Sequence, residues 1–585
     1  MSDRPTTGPQ ALGRREVLGL GLAPAILGGR PMSGRRTSGP RALGRREVLG
    51  LGLAAATWAA TGCSTDGGDS GDGGSTPSTT EPGAAPTTEP GAAPTTEPGP
   101  GPTTGPTPTT GPASTASGAE TSGVAVRAGG TDAGTMRGWI EEVVAQGVRR
   151  PAYPADIWTE GFVTDAFRAL GLEDVHAEPA PVHRWEPTRW SLVVTPAGGP
   201  AREVACYPLP HSAPTVGLEV ELAAFDPEAP AVAGRAALVD APLVRLPAAA
   251  VAGFGSAPAD PARVFDPDGT FAGEEHVLPH TALRNRIVEP VVEAGAAAFV
   301  GTLTGHPGDL HRYYVPYHGE ALPLPGVWVS GSEGERLHAD LARGPVTVRL
   351  EVAATREPAE TQTIVGELPG RDDELVLVGS HHDGPWASAV EDGSGIALVL
   401  AQAAHWAAVP RNERPHRLRF VLHGGHMDGG AGHRAYVRAH ADELDRVVLA
   451  VHLEHAALDV ADRDGQLVPT GRCVPRWVFT SAIPPLEAAV IGAIEDHDLR
   501  RSMLVAPDAL GENPPTDAAR LHGLGVPIVQ LLGAPWYLFD EVDTLDKVDV
   551  DALVPLTRAT AQVIAWTAGR SAGDLRAAAE RREKA

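Results

Sequence analysis

The sequence is poor in cysteine and in basic residues. Three cysteines in 585 residues are too few for a disulfide framework, and nothing in the spacing of Cys206 and Cys473 supports a bond between them. Lys and Arg number 48 against 73 Asp and Glu, which leaves a formal net charge of -25. The chain therefore lacks the basic footprint that nucleic-acid phosphate requires, and we expect no nucleic-acid partner.

The N-terminal residues 1–63 have the layout of an export signal. Twin arginines, Arg45 and Arg46, precede an apolar run and then small residues before Cys63. The run is about fifteen residues long, below the roughly 20 that span a bilayer. The letters ATGC resemble a lipobox, in which the cysteine is lipidated after cleavage, and a nearly identical copy of the signal starts at Gly8. We therefore predict a lipid anchor on Cys63, with an ordinary cysteine near a signal end as the alternative.

A low-complexity segment follows the signal. Residues 64–125 consist mainly of Thr, Pro, Gly and Ser, with TTEPGAAP repeated, and they have almost no apolar side chains with which to build a core. Such a composition predicts an extended tether. A tether placed after a lipid anchor predicts a bacterial protein held at the outer face of the cytoplasmic membrane or in the cell wall.

The remaining chain has the patterns of a folded α/β protein. Residues 131–204 contain two segments with apolar residues at helical spacing, and 205–350 contain short strands separated by Pro, Gly and Asp. Residues 351–570 alternate near-continuous apolar strands with helices, and 571–585 form a charged tail. We predict a mixed, mostly parallel sheet covered by helices on both faces, with 205–350 as an inserted strand-rich domain.

Histidines and carboxylates follow successive strands of the predicted sheet. In a covered sheet of this kind, ligands bind at the carboxyl ends of the strands. Histidine, aspartate and glutamate are the ligands that zinc uses together with cysteine. One such histidine alone would be an ordinary core or surface residue, but the recurrence at three strand ends favours a metal site. The first strand end carries His381, His382 and Asp383, and its loop returns through Glu391 and Asp392. The second carries His426, Met427 and Asp428, and the third carries Glu454 and His455.

The order of motifs resembles the co-catalytic zinc aminopeptidases, whose relatives include glutamate carboxypeptidase and the transferrin receptor ectodomain. The resemblance covers nearly everything from about residue 131 to 570, and the strand-rich insert is similar to the protease-associated domain that several members carry. The series is specific, although each motif alone is weak. The matching segments are TQTIVGELPG, LVGSHHD, EDGSGIALVL, GGHMDGGAGHRAYV, HLEH, TDAARLHGLGVP and DTLDKVD.

The resemblance implies a site with two zinc ions bridged by a carboxylate and a water. His381 and Glu454 match ligands of the first metal, and Asp383 matches a carboxylate beneath the metal site. Glu391 falls on the bridging position, where the family usually has aspartate. The resemblance therefore implies a first metal held by His381, Glu391 and Glu454.

Other family positions have changed. The paired glutamates, catalytic base and then ligand of the second metal, fall on His426 and Met427, and the last histidine ligand falls on Phe539. Methionine is a soft, weak ligand and phenylalanine is none, so the second metal has lost its own ligands. The resemblance then implies at most one zinc, with His426 as its fourth ligand or as a candidate substitute base.

Two functions stay open at this point. The first is an exported, membrane-tethered zinc-dependent hydrolase of peptide or other small amide bonds, with a rebuilt one-metal site. The second is a catalytically inactive member of the fold, with or without zinc, that binds a protein or another ligand. Zinc content and turnover of amino-acid arylamides distinguish the two.

Overall fold

The computed structural model describes residues 130–247, 263–271, 273–279, 287–509 and 514–583. The predicted signal, the anchor at Cys63 and the predicted tether lie outside these ranges. No helix in the described ranges combines the length and the hydropathy of a bilayer-crossing span. Cys206 and Cys473 are free thiols.

Helices and strands alternate through most of the described chain. The helices are α1 (Ala133–Val144), α2 (Pro154–Ala169), α3 (Glu289–Glu293), α4 (Gly331–Arg343), α5 (Gly395–Ala408), α6 (Ala431–Ala439), α7 (Pro484–Asp496), α8 (Ala519–Gly523), α9 (Val550–Trp566) and α10 (Ala572–Glu583). The strands are β1 (Glu173–Pro196), β2 (Arg202–Val204), β3 (Cys206–Pro208), β4 (Thr215–Ala224), β5 (Ala236–Asp240), β6 (Val244–Pro247), β7 (Val264–Phe265), β8 (Glu275–Leu278), β9 (Ala298–Leu303), β10 (Gly326–Ser330), β11 (Val346–Leu368), β12 (Leu375–His381), β13 (Arg417–His423), β14 (Val447–Leu453), β15 (Leu458–Arg463), β16 (Gln466–Cys473), β17 (Arg476–Thr480), β18 (Ser502–Val505) and β19 (Ile528–Gly533).

One mixed sheet runs through the described ranges. Its order is β3-β10-β9-β5-β4-β11-β13-β12-β14-β19-β17-β18-β7, and β1 pairs with β11 and β2. The central strands β13, β12, β14 and β19 are parallel, whereas β11 joins β13 and β17 joins β19 in the antiparallel sense. The predicted α/β fold with a mixed, mostly parallel sheet is confirmed.

Helices cover the central strands on both faces. Val376 and Val378 of β12 belong to the larger core, together with residues of α1, α5 and α9. Leu375 and Leu377, which alternate with them, belong to a smaller core with residues of α6 and α8. Because side chains alternate across a strand, the two sets lie on opposite faces. This explains why the strand reads as a continuous apolar run.

The strand-rich segment has a core of its own but shares the sheet. Leu222, Val300 and Val327 pack with Leu192 of β1 and Val348 of β11 in a separate cluster of buried residues. The same two long strands also run into the central sheet, where β11 pairs with β13. The boundaries 205 and 350 remain predictions, since β11 crosses the second of them without interruption.

Most of the predicted elements are confirmed. The helical segment before Gly171 corresponds to α2, which ends at Ala169, and the glycine adopts a left-handed backbone with φ of 75°. The predicted strands around the metal-ligand residues correspond to β12, β13, β14 and β19, and the predicted helix after the first strand end corresponds to α5. These elements place the predicted site residues along one sheet edge.

Candidate metal centre

The carboxyl ends of four central strands form one edge. His381 ends β12, and it stands opposite His423, which ends the neighbouring parallel strand β13. Glu454 and His455 follow β14, and the segment with Phe539 follows β19. The strand order therefore brings together the side chains that the sequence placed at strand ends.

Close packing requires glycine between β13 and α6. Gly425 has a φ of 73°, and a Cβ there would lie 3.0 Å from Val182 Cγ1. At Gly424 a Cβ would lie 2.4 Å from the Thr361 hydroxyl oxygen. The chain can therefore turn tightly and present residues 426–428 as a single helical turn at the site.

His381 is oriented as a ligand. Its side chain is fully buried, and its Nδ1 lies 2.9 Å from the carbonyl oxygen of Asp383, to which it donates in the tautomer that carries hydrogen on Nδ1. Its Nε2 has no hydrogen-bond partner within the described ranges. Burial and the neighbouring His426 lower the pKa of His381 to about 3. A neutral imidazole with a free lone pair is the form that binds a metal.

Glu391 lies at the centre of the site. Its Oε2 is 2.6 Å from His455 Nε2, and its Oε1 is 3.5 Å from His381 Nε2 and 3.7 Å from His426 Nε2. Burial raises its pKa, but the surrounding imidazoles outweigh burial and lower the value to about 2. The bridging position of the family is thus occupied by a carboxylate that several imidazoles face.

His455 reaches Glu391 from an unusual backbone conformation. Its φ is 55°, in the left-handed region that costs a residue other than glycine on the order of 1–3 kcal/mol. Burial disfavours its charged form, but Glu391 outweighs burial and raises the pKa of His455 to about 10. The ligand atoms of His381, Glu391 and His455 lie within 4.8 Å of one another.

His426 is fixed on three sides. Its Nδ1 lies 2.8 Å from Asp517 Oδ1, and its ring stacks on His381 at 4.1 Å and on Tyr317 at 5.4 Å between centroids. Burial opposes its protonation, but Asp517 and Glu391 outweigh burial and hold the pKa of His426 well above its usual range. A cation beside Glu391 would oppose that rise, because like charges repel.

Glu454 follows β14 but lies slightly apart from the first two predicted ligands. Its Oε2 is 3.9 Å from His455 Nε2, and its ligand atoms group with those of His452 and Asp517 within 4.8 Å. Burial and the charge of Asp517 raise the pKa of Glu454 well above its usual value. The structure thus brings His381 and Glu391 together and places Glu454 in an adjoining group.

Asp383 holds the loop that carries His426. Its two carboxylate oxygens accept hydrogen bonds from the backbone N–H groups of His426 at 3.0 Å and of Met427 at 2.7 Å. Burial raises the pKa of Asp383 to about 6, and Asp156 adds to the rise. Asp383 thus supports the turn that carries His426, and its place beneath a metal remains a prediction.

The changed family positions are filled by apolar side chains. Met427 is fully buried in the larger core, and Phe539 is 2 % exposed. Phe539 stacks on Tyr317 with 4.9 Å between centroids, and Tyr317 stacks on His426. Asp428 accepts a hydrogen bond from the backbone N–H of His183 at 3.2 Å and belongs to no candidate metal group within the described ranges.

His382 points away from the Glu391 cluster. Its Nδ1 lies 2.9 Å from Asp156 Oδ1 of α2, and its Nε2 lies 2.7 Å from the carbonyl oxygen of Gln362. Burial lowers its pKa, but Asp156 outweighs burial and raises the value to about 9. Glu160 completes one of four groups of potential ligands in the described ranges, another of which is His381, His426 and Asp517. The ion pair and these contacts of His382 indicate a link between α2 and the segment after β12.

Two of the site's carboxylates are not identified by the sequence analysis. Asp517 lies in the motif TDAARLHGLGVP, which is one of the segments that carry the resemblance. Asp543 lies in the motif DTLDKVD, and it accepts hydrogen bonds from the backbone N–H groups of Val390 at 2.8 Å and of Glu391 at 2.9 Å. Their place in these motifs is the signal that could have found them.

A pocket of about 670 Å³ opens onto the cluster. Apolar walls with a few polar groups are typical of small-molecule sites. The pocket can hold an apolar group next to the polar cluster. Its apolar wall includes Leu278, Trp477, Phe479, Leu532, Leu538 and Phe539, and its polar end consists of Glu391, His426, Glu454, His455 and Asp517.

The residues present fit a zinc ion. Imidazole nitrogens and carboxylate oxygens are zinc ligands, and three protein ligands are the usual number for a catalytic zinc. The donor atoms of His381, Glu391 and His455 are mutually close. The unpartnered, fully buried Nε2 of His381 is the atom that a cation at this place would satisfy.

Several solved structures share the fold of this chain. A peptidase M28 precursor from Shewanella amazonensis SB2B has a similar fold, with a TM-score of 0.56, 21% identity, and 74% of this chain and 93% of that chain covered. An aminopeptidase from Aneurinibacillus sp. strain AM-1 gives a TM-score of 0.51 at 18% identity, with 76% and 95% covered. A zinc aminopeptidase from Bacillus subtilis has a TM-score of 0.51 at 17% identity, with 76% of this chain and 98% of that chain covered.

The sequence itself gives one family match. No curated protein has a matching sequence, but residues 363–564 match the model described as peptidase family M28. The match contains the residues of the Glu391 cluster and the strands that position them. Residues 363–564 of this chain therefore match peptidase family M28, and the described chain shares its fold with solved zinc aminopeptidase structures, as the strand-end motifs predicted.

Proposed function

We propose that this protein is an exported, membrane-tethered, zinc-dependent hydrolase of peptide or small amide bonds with a one-metal site at Glu391. The family match supports a metallopeptidase-like hydrolase. The observation that carries the finer proposal is the pairing of His426 with Asp517 at 2.8 Å, directly beside Glu391. It supplies a positioned imidazole where the family's catalytic glutamate is missing.

His381 and Glu391 would hold the metal, with His455 or Glu454 as the third protein ligand. When bound there, zinc would supply Lewis acidity that polarises the scissile carbonyl and lowers the pKa of a water. The apolar wall of the pocket receives the substrate and excludes water from around it. Glu391 and His426 face the pocket at its polar end.

His426 would move the proton. A cation at Glu391 would oppose the raised pKa of His426 and favour its neutral ring. In the tautomer with hydrogen on Nδ1, that N–H donates to Asp517, and the lone pair is then on Nε2. Nε2 accepts the proton of the attacking water, and Asp517 stabilises the imidazolium that forms. The proton then passes from Nε2 to the leaving amine, which restores the neutral ring.

The second candidate is a catalytically inactive binding protein. It is favoured by the stack of Tyr317 and Phe539 on His426, since Phe539 replaces an expected ligand with an aromatic wall. Such a protein would keep the pocket and bind a ligand without turnover. It predicts no hydrolysis, whatever the metal content.

The test compares the wild-type protein with His381→Ala and with His338→Ala. His338 is 40% exposed on α4, where it bonds Asp240, and its replacement should change nothing. We expect His381→Ala to lose about one zinc ion per chain and to lower the hydrolysis of leucine or lysine arylamides by at least about 10²-fold. Zinc uptake without hydrolysis of any arylamide would favour the binding protein, and equal zinc in both variants would overturn the metal assignment.

A further inference from the structure

A second group of ligand side chains lies beside the Glu391 cluster. The ligand atoms of His452, Glu454 and Asp517 lie within 4.8 Å of one another. His452 is the penultimate residue of β14, and Glu454 follows that strand by one position. On an extended chain, the side chains of residues two positions apart point to the same side. Asp517 comes from the segment before α8 and closes the group from another direction.

Donor atoms in this group are buried without partners. His452 is 2% exposed and Glu454 is 5% exposed. Within the described ranges, neither His452 Nδ1 nor Glu454 Oε1 has a hydrogen-bond partner. Buried polar atoms normally have a hydrogen-bond partner, because a polar atom that loses its water contacts and gains no new partner raises the free energy of the folded state. A bound cation would satisfy both atoms at once.

Imidazole rings surround the two carboxyl groups of this group: His426 Nδ1 lies 2.8 Å from Asp517 Oδ1, and His455 Nε2 lies 3.9 Å from Glu454 Oε2. The ring of His433 stacks on His452 at 5.5 Å, and the ring of His423 stacks on His433 at 4.6 Å. The group itself offers one imidazole and two carboxyl groups, those of Glu454 and Asp517, and this donor set suits a divalent cation.

We propose that His452, Glu454 and Asp517 bind a second zinc ion, at a place different from the second metal position of the family. With Glu454 in this group, His455 is the third protein ligand of the zinc at His381 and Glu391. The family position depends on residues that are here Met427 and Phe539, and neither belongs to the new group. One imidazole and two carboxylates give three protein ligands and suit zinc better than calcium or magnesium.

His426 connects the two groups. Its Nδ1 is 2.8 Å from Asp517 Oδ1, and its Nε2 is 3.7 Å from Glu391 Oε1. A cation bound to Asp517 would fix the carboxylate that orients His426. The second zinc would thus replace the family's second metal, whose ligand positions are here Met427 and Phe539, and would be held by other side chains. It goes beyond the proposed hydrolysis and does not depend on it.

The test counts zinc in the purified full chain. The protein is stripped with a chelator, dialysed against zinc, and analysed for metal content as wild type, His381→Ala, His452→Leu and the double variant. We expect about two zinc ions per chain in the wild type, about one in each single variant and none in the double variant. The wild-type count alone tests the proposal if a variant fails to fold.

A matched control is His211→Leu. His211 is also buried, and both its ring nitrogens lack hydrogen-bond partners in the described part of the chain. The charged groups near it are Arg356 and Arg150 rather than carboxylates, so this variant should keep about two zinc ions. A wild type that binds one zinc, which His381→Ala removes, would overturn the second site and leave the proposed function standing. Unchanged zinc in His452→Leu would also overturn the second site.

Discussion

The residue at position 426 decides what chemistry the site can perform. The resemblance places His426 at the position of the family's catalytic glutamate, and its ring is held between His381 and Tyr317. Asp517 fixes the direction of Nδ1. Because the ring cannot swing freely, Nε2 must act at the place it now faces, beside Glu391. It can serve there as a base or as an additional zinc ligand.

Replacing His426 by Gln separates these two roles. Glutamine keeps a polar side chain of similar reach but cannot take a proton at neutral pH. If His426 is the base, kcat/KM for arylamides should fall by about 10²–10⁴-fold with zinc content unchanged. Loss of zinc would instead identify His426 as a ligand, and an unchanged rate would exclude it from catalysis. His338→Gln, on α4, is the matched control.

Glu391 and His426 lie on loops, and buried charged side chains hold these loops through hydrogen bonds. Asp383 accepts hydrogen bonds from the turn after β13, and Asp543 accepts them from the segment before α5. Arg149 donates to the carbonyl oxygens of His382 at 2.8 Å and of Ser388 at 3.0 Å, and also to that of Ala387. The segment that carries Glu391 is thus fixed through both its N–H and its carbonyl groups.

Arg149→Met should therefore destabilise this segment. The guanidinium is fully buried, and removing it leaves several buried carbonyls unpaired, which should cost on the order of 3 kcal/mol. Urea unfolding measures the free energy, and the midpoint should fall. Arg168→Met on α2 is the control, because that side chain is 61% exposed and should change stability by no more than about 0.5 kcal/mol. Wild-type stability of Arg149→Met would contradict this account.

The sequence predicted local elements well and distant contacts poorly. Apolar runs of strand length placed β12, β13 and β14, and the residues at their ends pointed to the site. Asp517 was not identified, because it meets His426 across 91 positions of sequence and no local pattern encodes that contact. The pairing of β1 with β11, from Glu173 to Pro196, is equally non-local. Single-sequence periodicity reports which face is buried, but not against which partner.

At the scale of the whole molecule, the strand-rich segment shapes the site without supplying its ligands. Leu278 lines the pocket, and Tyr317 stacks on both His426 and Phe539. None of the candidate metal groups in the described ranges includes a residue of 205–350. The long strands β1 and β11 tie this segment to the central sheet. The segment therefore contributes part of the pocket wall and is joined to the central sheet by continuous strands.

A lipid anchor at Cys63, which we predict from the sequence, would hold the protein at the membrane. Each buried CH₂ group of a lipid contributes about 0.8 kcal/mol to membrane binding. Loss of the whole lipid should therefore release the folded part of the protein from the membrane. Cys63→Ala should move the protein from the membrane fraction to the medium or the soluble fraction, with arylamide hydrolysis unchanged. Cys473→Ala, which removes a partly buried thiol in β16, is the control and should stay with the membrane. If Cys63→Ala fractionates with the membrane as the wild type does, the anchor lies elsewhere and the lipidation proposal fails.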